Sequence, residues 1–412
     1  MKNKRGRFIM QETELPSKKL SFSAATLLFV LGIMLIAMTL RTPLTVVGPI
    51  IPSMRDGLGI SNVLAGFLTT IPLLAFAIVS PFVAKIARTL SIERALFFAL
   101  ILLGAGILLR SVSDILGVII GTFLIGVAIA FGNVLIPSYL KLRMPLQVGL
   151  MMGIYSVSMN ISASVAAGIS YPLAETSVGW RGSLGFALIF VVLALLIWLP
   201  QLKFRASVQT PATSQKLPLY KLPLAWAIAC MMGMQSLLFY SSSAWFPAIL
   251  MSQGISASDA GWLSSLMLFA QLPMTFFIPI LASRAKLHVP ITIAFSICYI
   301  VGFVGLYMEW TALAPVWMIC IGLAGGASFS LVMMLFTMRT ESIYTSAELS
   351  GFAQSTGYLL AAIGPITFGW LHDITGSWHA TCFGFIICAV VLFVSGLYGS
   401  RNVKIEQAMT SK

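Results

Sequence analysis

Of 412 residues only 9% are charged and 58% are hydrophobic, and the mean hydropathy is +0.97. Soluble domains run near a quarter charged, so this composition excludes one. The formal net charge of +13 is dispersed in short segments between apolar runs, which is how membrane topology is set and not how a nucleic-acid face is built.

Residues 1–23 are polar and basic and read as a cytoplasmic tail. The apolar run after them is too long for the core of a cleavable signal, so it is expected to stay as the first span. Runs of bilayer-spanning length lie near 24–50, 60–83, 94–112, 114–139, 148–174 and 182–200. They resume near 223–250, 259–282, 289–308, 312–336, 349–371 and 379–399. Between the two sets, 201–222 (Lys203, Arg205, Pro211, Ser214, Lys216, Lys221) has no apolar period and reads as a linker. Residues 400–412 form a second cytoplasmic tail. The expected fold class is an all-α integral membrane protein of twelve transmembrane helices in two six-helix bundles, 24–200 and 223–399, with the lipid bilayer around it.

The cations orient it. With the N-terminus inside, the inner segments hold 21 of the 25 Lys and Arg: six before the first span, then Lys85, Arg88, Arg94, Lys141, Arg143, Lys203, Arg205, Lys216, Lys221, Arg284, Lys286, Arg339, Arg401, Lys404 and Lys412. The outer segments hold Arg55, Arg110 and Arg181, with Asp56, Asp114, Glu175, Asp259, Glu309 and Asp373. This asymmetry puts both termini in the cytoplasm of a cell-membrane protein, and an odd helix count would destroy it.

The halves repeat. Gly59-Ile60-Ser61, Ala65-Gly66, Leu68, Leu73 and Ala75 return 195 residues later as Gly254-Ile255-Ser256, Ala260-Gly261, Leu263, Leu268 and Ala270, and Pro52 and Pro247 keep that offset. Gly126 and Gly322, Arg143 and Arg339, Gly153 and Gly351, and Trp180 and Trp378 follow at 196 to 198. Each half starts on the same side, so the repeat is parallel, with its pseudo-two-fold axis along the membrane normal.

Several strings carry a family resemblance. They are Gly132-Asn133-Val134-Leu135-Ile136-Pro137 with Met144-Pro145, Pro172-Leu173-Ala174 with Gly179-Trp180-Arg181, and Gly233-Met234-Gln235-Ser236 with Trp245-Phe246-Pro247. The longest is Leu349 to Tyr358, continuing to Gly364-Pro365, Gly369 and Asp373. Together, over about 24–399, they resemble the cyanate-porter and nitroimidazole-exporter branch of the major facilitator superfamily. The resemblance implies alternating access by rocking of two bundles around a central cavity, and small anionic or nitrogen-rich aromatic substrates. It has one departure: Arg88 and Ser91 stand in the loop where the superfamily usually has an acid and a glycine.

Arg41 is the main candidate residue. It lies about 17 residues into the first span, two before Pro43, and such depth costs a cation roughly 3 kcal/mol. It either binds an anion in a wet cavity or snorkels outward beside a helix broken at Pro43. No Asp or Glu lies at comparable depth; Glu348, the nearest, reads as an ordinary helix-start acid.

Polar groups near mid-membrane are Asn160, Gln235, Ser236, Gln271, Gln354 and Tyr358. In the repeat Ser236 matches Arg41 and Tyr358 matches Asn160. They fit either a substrate site, with Tyr240, or interhelical hydrogen bonding worth about 0.6–2 kcal/mol each. Asn133, Tyr155 and Trp245 fit a gate or cavity lining, or plain packing and anchoring. The five cysteines lie within apolar runs and read as small hydrophobes. The three histidines form no metal cluster and there is no phosphate-cradling loop, so no metal or cofactor and no ATP-driven step is expected.

The expected function is secondary transport, by a monomer, of a small anion or compact drug-like molecule, with a proton or counter-substrate as coupling partner. The alternative is proton-driven efflux of a neutral toxic compound. An integral membrane enzyme is disfavoured, because no buried nucleophile, acid pair or metal set is visible.

Overall fold

The computed structural model describes residues 24–60, 62–204, 218–284 and 288–407. The N-terminal tail, the centre of the linker with Arg205, Pro211, Ser214 and Lys216, and Lys286 and Lys412 lie outside the described residues. A chain this apolar must satisfy its backbone internally, and helices do so within one segment.

Fourteen α-helices follow one another among the described residues. The first half comprises α1 Ala24–Thr45, α2 Val47–Leu58, α3 Asn62–Leu90, α4 Ile92–Val112, α5 Ile115–Arg143, α6 Val148–Ala174, α7 Gly179–Gly185 and α8 Leu188–Trp198. The second comprises α9 Pro223–Ser252, α10 Ala257–Arg284, α11 His288–Tyr307, α12 Ala314–Met338, α13 Ile343–Thr375 and α14 His379–Gly399. Two expected spans are each built from two helices. The first breaks at Val46, three residues after Pro43, whose ring removes a backbone donor. The sixth breaks at Phe186 and Ala187.

Among the described residues, eleven helical stretches are long and apolar enough to cross a bilayer. The remaining expected span, the eleventh at 349–371, lies inside α13, which at 33 residues is ample in length. Its apolar character is diluted by Ser350, Gln354, Ser355 and Thr356, and most of that polar face is turned inward.

The packing repeats as the sequence does. In the first half α3 and α4 pack on α5, and α1 on α6; in the second, α10 and α11 pack on α12, and α9 on α13. Across the halves the partners exchange: α3 meets α13, and α10 meets α6. Gly153 on α6 and Gly351 on α13 are repeat counterparts that permit these two crossings. A Cβ would stand 2.9 Å from the Phe276 carbonyl oxygen at Gly153 and 2.5 Å from that of Ser80 at Gly351. Gly59 and Gly254, 195 residues apart, both end a helix with positive φ, 63° and 85°, where glycine escapes the Cβ penalty.

The halves are tied together at the end of the molecule where α1 begins. Lys141 of α5 donates to the carbonyls of Thr337 (2.7 Å) and Thr340 (2.6 Å) at the end of α12. Those carbonyls carry the negative end of the helix dipole. Ser138 meets Ser346 at 3.2 Å, and Ser355 donates to the Ala77 carbonyl. Arg88, where the superfamily usually has an acid or a glycine nearby, lies over the Tyr344 ring, 4.9 Å from its centroid. Ser91 beside it adopts φ 75°, a conformation that disfavours a side chain.

Candidate functional site

Towards the opposite end the halves separate around a cavity of about 1180 Å³. α1, α3 and α6 wall one side and α9, α10 and α13 the other. The wall is mostly apolar, interrupted by a few polar groups, as in small-molecule sites.

Arg41 lines this cavity. Its guanidinium lies 5.7 Å from the ring centroid of Phe239 and 5.6 Å from that of Phe329. Both rings belong to the second half, so a cation–π clamp joins the halves at the cavity. The described ion pairs involve Arg55, His372, His379 and Lys404; none includes Arg41. No Asp or Glu is among the described residues of the wall. The snorkelling geometry is therefore absent: Arg41 points at aromatic rings and a cavity.

Asn160, Tyr240, Gln271 and Trp245 share the wall with Arg41. Trp245 donates its indole N–H to the Pro365 carbonyl at 2.8 Å and packs on Trp378. Behind the wall lie Gln235 and Ser236, bonded to each other at 3.2 Å and both buried. Tyr358 packs on Phe76 with centroids 4.8 Å apart. Tyr155 and Tyr358 nonetheless lie within electrostatic reach of Arg41, and Tyr358 within that of Tyr240.

Gln354 and Asn133 are engaged with each other. The Gln354 amide donates to the Asn133 carbonyl at 3.0 Å and to Ser350 at 2.8 Å. Tyr155 donates to the Asn133 side chain at 3.4 Å. None of these three residues is among those lining the cavity; together they join α5, α6 and α13.

One sequence expectation needs correction. Arg110 was counted with the outer segments, yet it is 1% exposed inside the last turn of α4 and lines the cavity. Arg110 therefore joins Arg41 as a cation at the cavity. Arg110 follows a long apolar run and precedes Ser111, Ser113 and Asp114, so hydropathy places it at an interface. Helix packing draws it in: at Gly121 of α5 a Cβ would meet the Arg110 backbone nitrogen at 2.7 Å. The neighbouring glycine pair, Gly106 and Gly121, was the one available signal.

Charge is also buried at the closed end. Glu93 is fully buried at the start of α4, where it accepts from the Tyr139 hydroxyl at 3.1 Å. Its repeat counterpart is His288, which accepts from Arg339 at 2.7 Å through Nδ1 while Nε2 faces the Ala282 carbonyl at 2.9 Å. That pattern describes a neutral imidazole protonated on Nε2.

A family model described as Major Facilitator Superfamily matches residues 27–365. An uncharacterized transporter of Bacillus subtilis, YycB, is 44% identical over 92% of this chain and 94% of its own length. The 2-nitroimidazole transporter of Escherichia coli is 36% identical over 92% of this chain and 97% of its own. The cyanate transport protein CynX of the same organism is 26% identical over 85% and 93%. Among solved structures, a double-tryptophan mutant of XylE superposes with a TM-score of 0.79 at 12% identity, covering 95% of this chain and all of that one.

Proposed function

This chain belongs to the major facilitator superfamily, with relatives in its cyanate- and nitroimidazole-transporting branch, and on that premise we propose that it carries a small planar anion across the membrane by alternating access. It is a multi-pass membrane transporter and not an enzyme. The observation that carries the substrate reading is Arg41, an unneutralised cation in the cavity wall, held by two rings of the opposite half. An anion entering from water supplies the charge the wall lacks, and a planar guanidinium suits a planar ligand. Tyr240, Trp245, Asn160 and Gln271 would orient it, with Tyr358, Gln235 and Ser236 supporting from behind.

We assign residues 24–200 and 223–399 to the two moving bundles, 201–222 to a cytoplasmic linker, and 1–23 and 400–412 to cytoplasmic tails. The cation asymmetry supports this orientation and is sharper once Arg110 leaves the outer set. The cavity then faces outwards and the Lys141 contacts close the cytoplasmic side. The chain works as a monomer in the cell membrane. The absence of a carboxylate among the described wall residues favours exchange for a counter-substrate over a buried proton relay. Related proteins named for 2-nitroimidazole and cyanate support a small, flat, electron-rich cargo.

The test is uptake into proteoliposomes. Arg41→Ala is expected to abolish anion uptake with folding retained, because removing an unpaired cation relieves a desolvation cost. Arg41→Lys should restore it only in part, since an ammonium lacks the planar fork. Full uptake with Lys, or with Ala, would sink the assignment.

A further inference from the structure

Arg110 is almost wholly buried, yet only one of its three nitrogens is occupied. Nη1 donates to the Pro43 carbonyl at 2.8 Å, beside the break between α1 and α2. Nε and Nη2 find no acceptor. These two N–H groups lie parallel along one edge of the guanidinium, the edge that grips both oxygens of a carboxylate. The side chain lines the same cavity as Arg41, with its two unmet nitrogens covered in this state.

Nearby polar groups do not serve it. The Thr122 hydroxyl, also in the wall, donates to the Val118 carbonyl at 2.7 Å. Ser111 donates to Ile107 at 2.8 Å. A buried cation with two idle donors is costly in an apolar surrounding and persists where function uses it. The bond to Pro43 anchors Nη1 and leaves the Nε–Nη2 edge unengaged.

We infer that Arg110 is a second anion-binding residue that takes the O–C–O end of the substrate, and hence that the preferred cargo is an aromatic carboxylate. The inference rests on reading the cavity as an anion site and narrows it. A carboxylate matches the fork bidentately, whereas a linear anion such as cyanate presents one terminal atom at a time. Phe67, Phe239, Tyr240 and Trp245 in the same wall suit an arene attached to that carboxylate. Arg41 acts on the charge of either ligand; Arg110 reads its shape.

The experiment follows thermal unfolding of the purified full chain with benzoate or cyanate as the probe, for wild type, Arg110→Lys, Arg110→Met and Arg41→Ala. Losing the fork should weaken benzoate by about tenfold or more in both Arg110 variants, the worth of one charge-assisted hydrogen bond. Cyanate binding should change by less than about twofold, because it does not engage the fork. Ligand-free Arg110→Met should unfold no lower than wild type. Undiminished benzoate binding by Arg110→Lys overturns the inference, and so does equal loss of both anions. An Arg110→Met protein that fails to fold also overturns it, because Arg110 would then be a clamp on Pro43. Unchanged binding by Arg41→Ala instead overturns the Arg41 reading, and a wild type indifferent to both anions overturns the two together.

Discussion

Arg110 and Arg339 are both 1% exposed, and they stand at opposite ends of the molecule. Arg339 makes three contacts: Nε to the Gly399 carbonyl at 3.2 Å, and Nη2 to His288 at 2.7 Å and to the Ser400 carbonyl at 2.8 Å. Arg110 makes one. The contrast extends to their neighbours. At the closed end, Lys141 is bonded to helix-end carbonyls, and Arg143 lies among Phe29, Tyr139 and Phe204. At the cavity, Arg41 has only rings and Arg110 only Pro43. Burial alone therefore does not distinguish a structural cation from a working one. What distinguishes them is whether buried donors are left unmet, as they are at Arg110 and not at Arg339.

The comparison can be broken most forcefully at Arg339. Arg339→Met would leave His288 and two backbone carbonyls without their donor, each worth about 1–3 kcal/mol when buried and unmet. Unfolding in detergent is expected to shift down by a wide margin, opposite in sign to Arg110→Met. Equal thermal behaviour of the two variants would erase the distinction between the ends.

A smaller effect is expected at Lys141, whose bonds cross between the halves only while this end is closed. Lys141→Met should release roughly 1.5–3 kcal/mol of charge-assisted bonding and favour opening towards the cytoplasm. Ser138→Cys with Ser346→Cys reports on this, since the two hydroxyls are 3.2 Å apart. Cross-linking should slow about tenfold when Lys141 is replaced, the equivalent of 1.4 kcal/mol. An unchanged rate would show that Lys141 does not hold the gate.

The smallest expected effect is at Ser91. Its φ of 75° costs of order 1 kcal/mol for a residue with a Cβ. Its side chain accepts only a long 3.5 Å contact from the Arg94 amide. Ser91→Gly should raise the unfolding midpoint slightly with transport unchanged. A lowered midpoint would mean the cap outweighs the strain.

The sequence by itself determined the membrane class, the twelve spans, their pairing into halves and the presence of Arg41 in the core, because bilayer thickness and charge asymmetry act on local composition. Internal repetition carried the two-fold relation, since matched glycines at 153 and 351 meet matched crossings. Whether a polar residue faces the cavity or lies behind it was not legible. Gln235 and Gln271 are both amides near mid-membrane, and only the rotation of α9 and α10 against α13 and α12 puts Gln271 in the wall and Gln235 behind it. Arg110 was illegible for the same reason. Hydropathy reads position along a helix, whereas the Gly121 contact that draws α4 against α5, and with it Nη1 of Arg110 to the Pro43 carbonyl, exists only between helices.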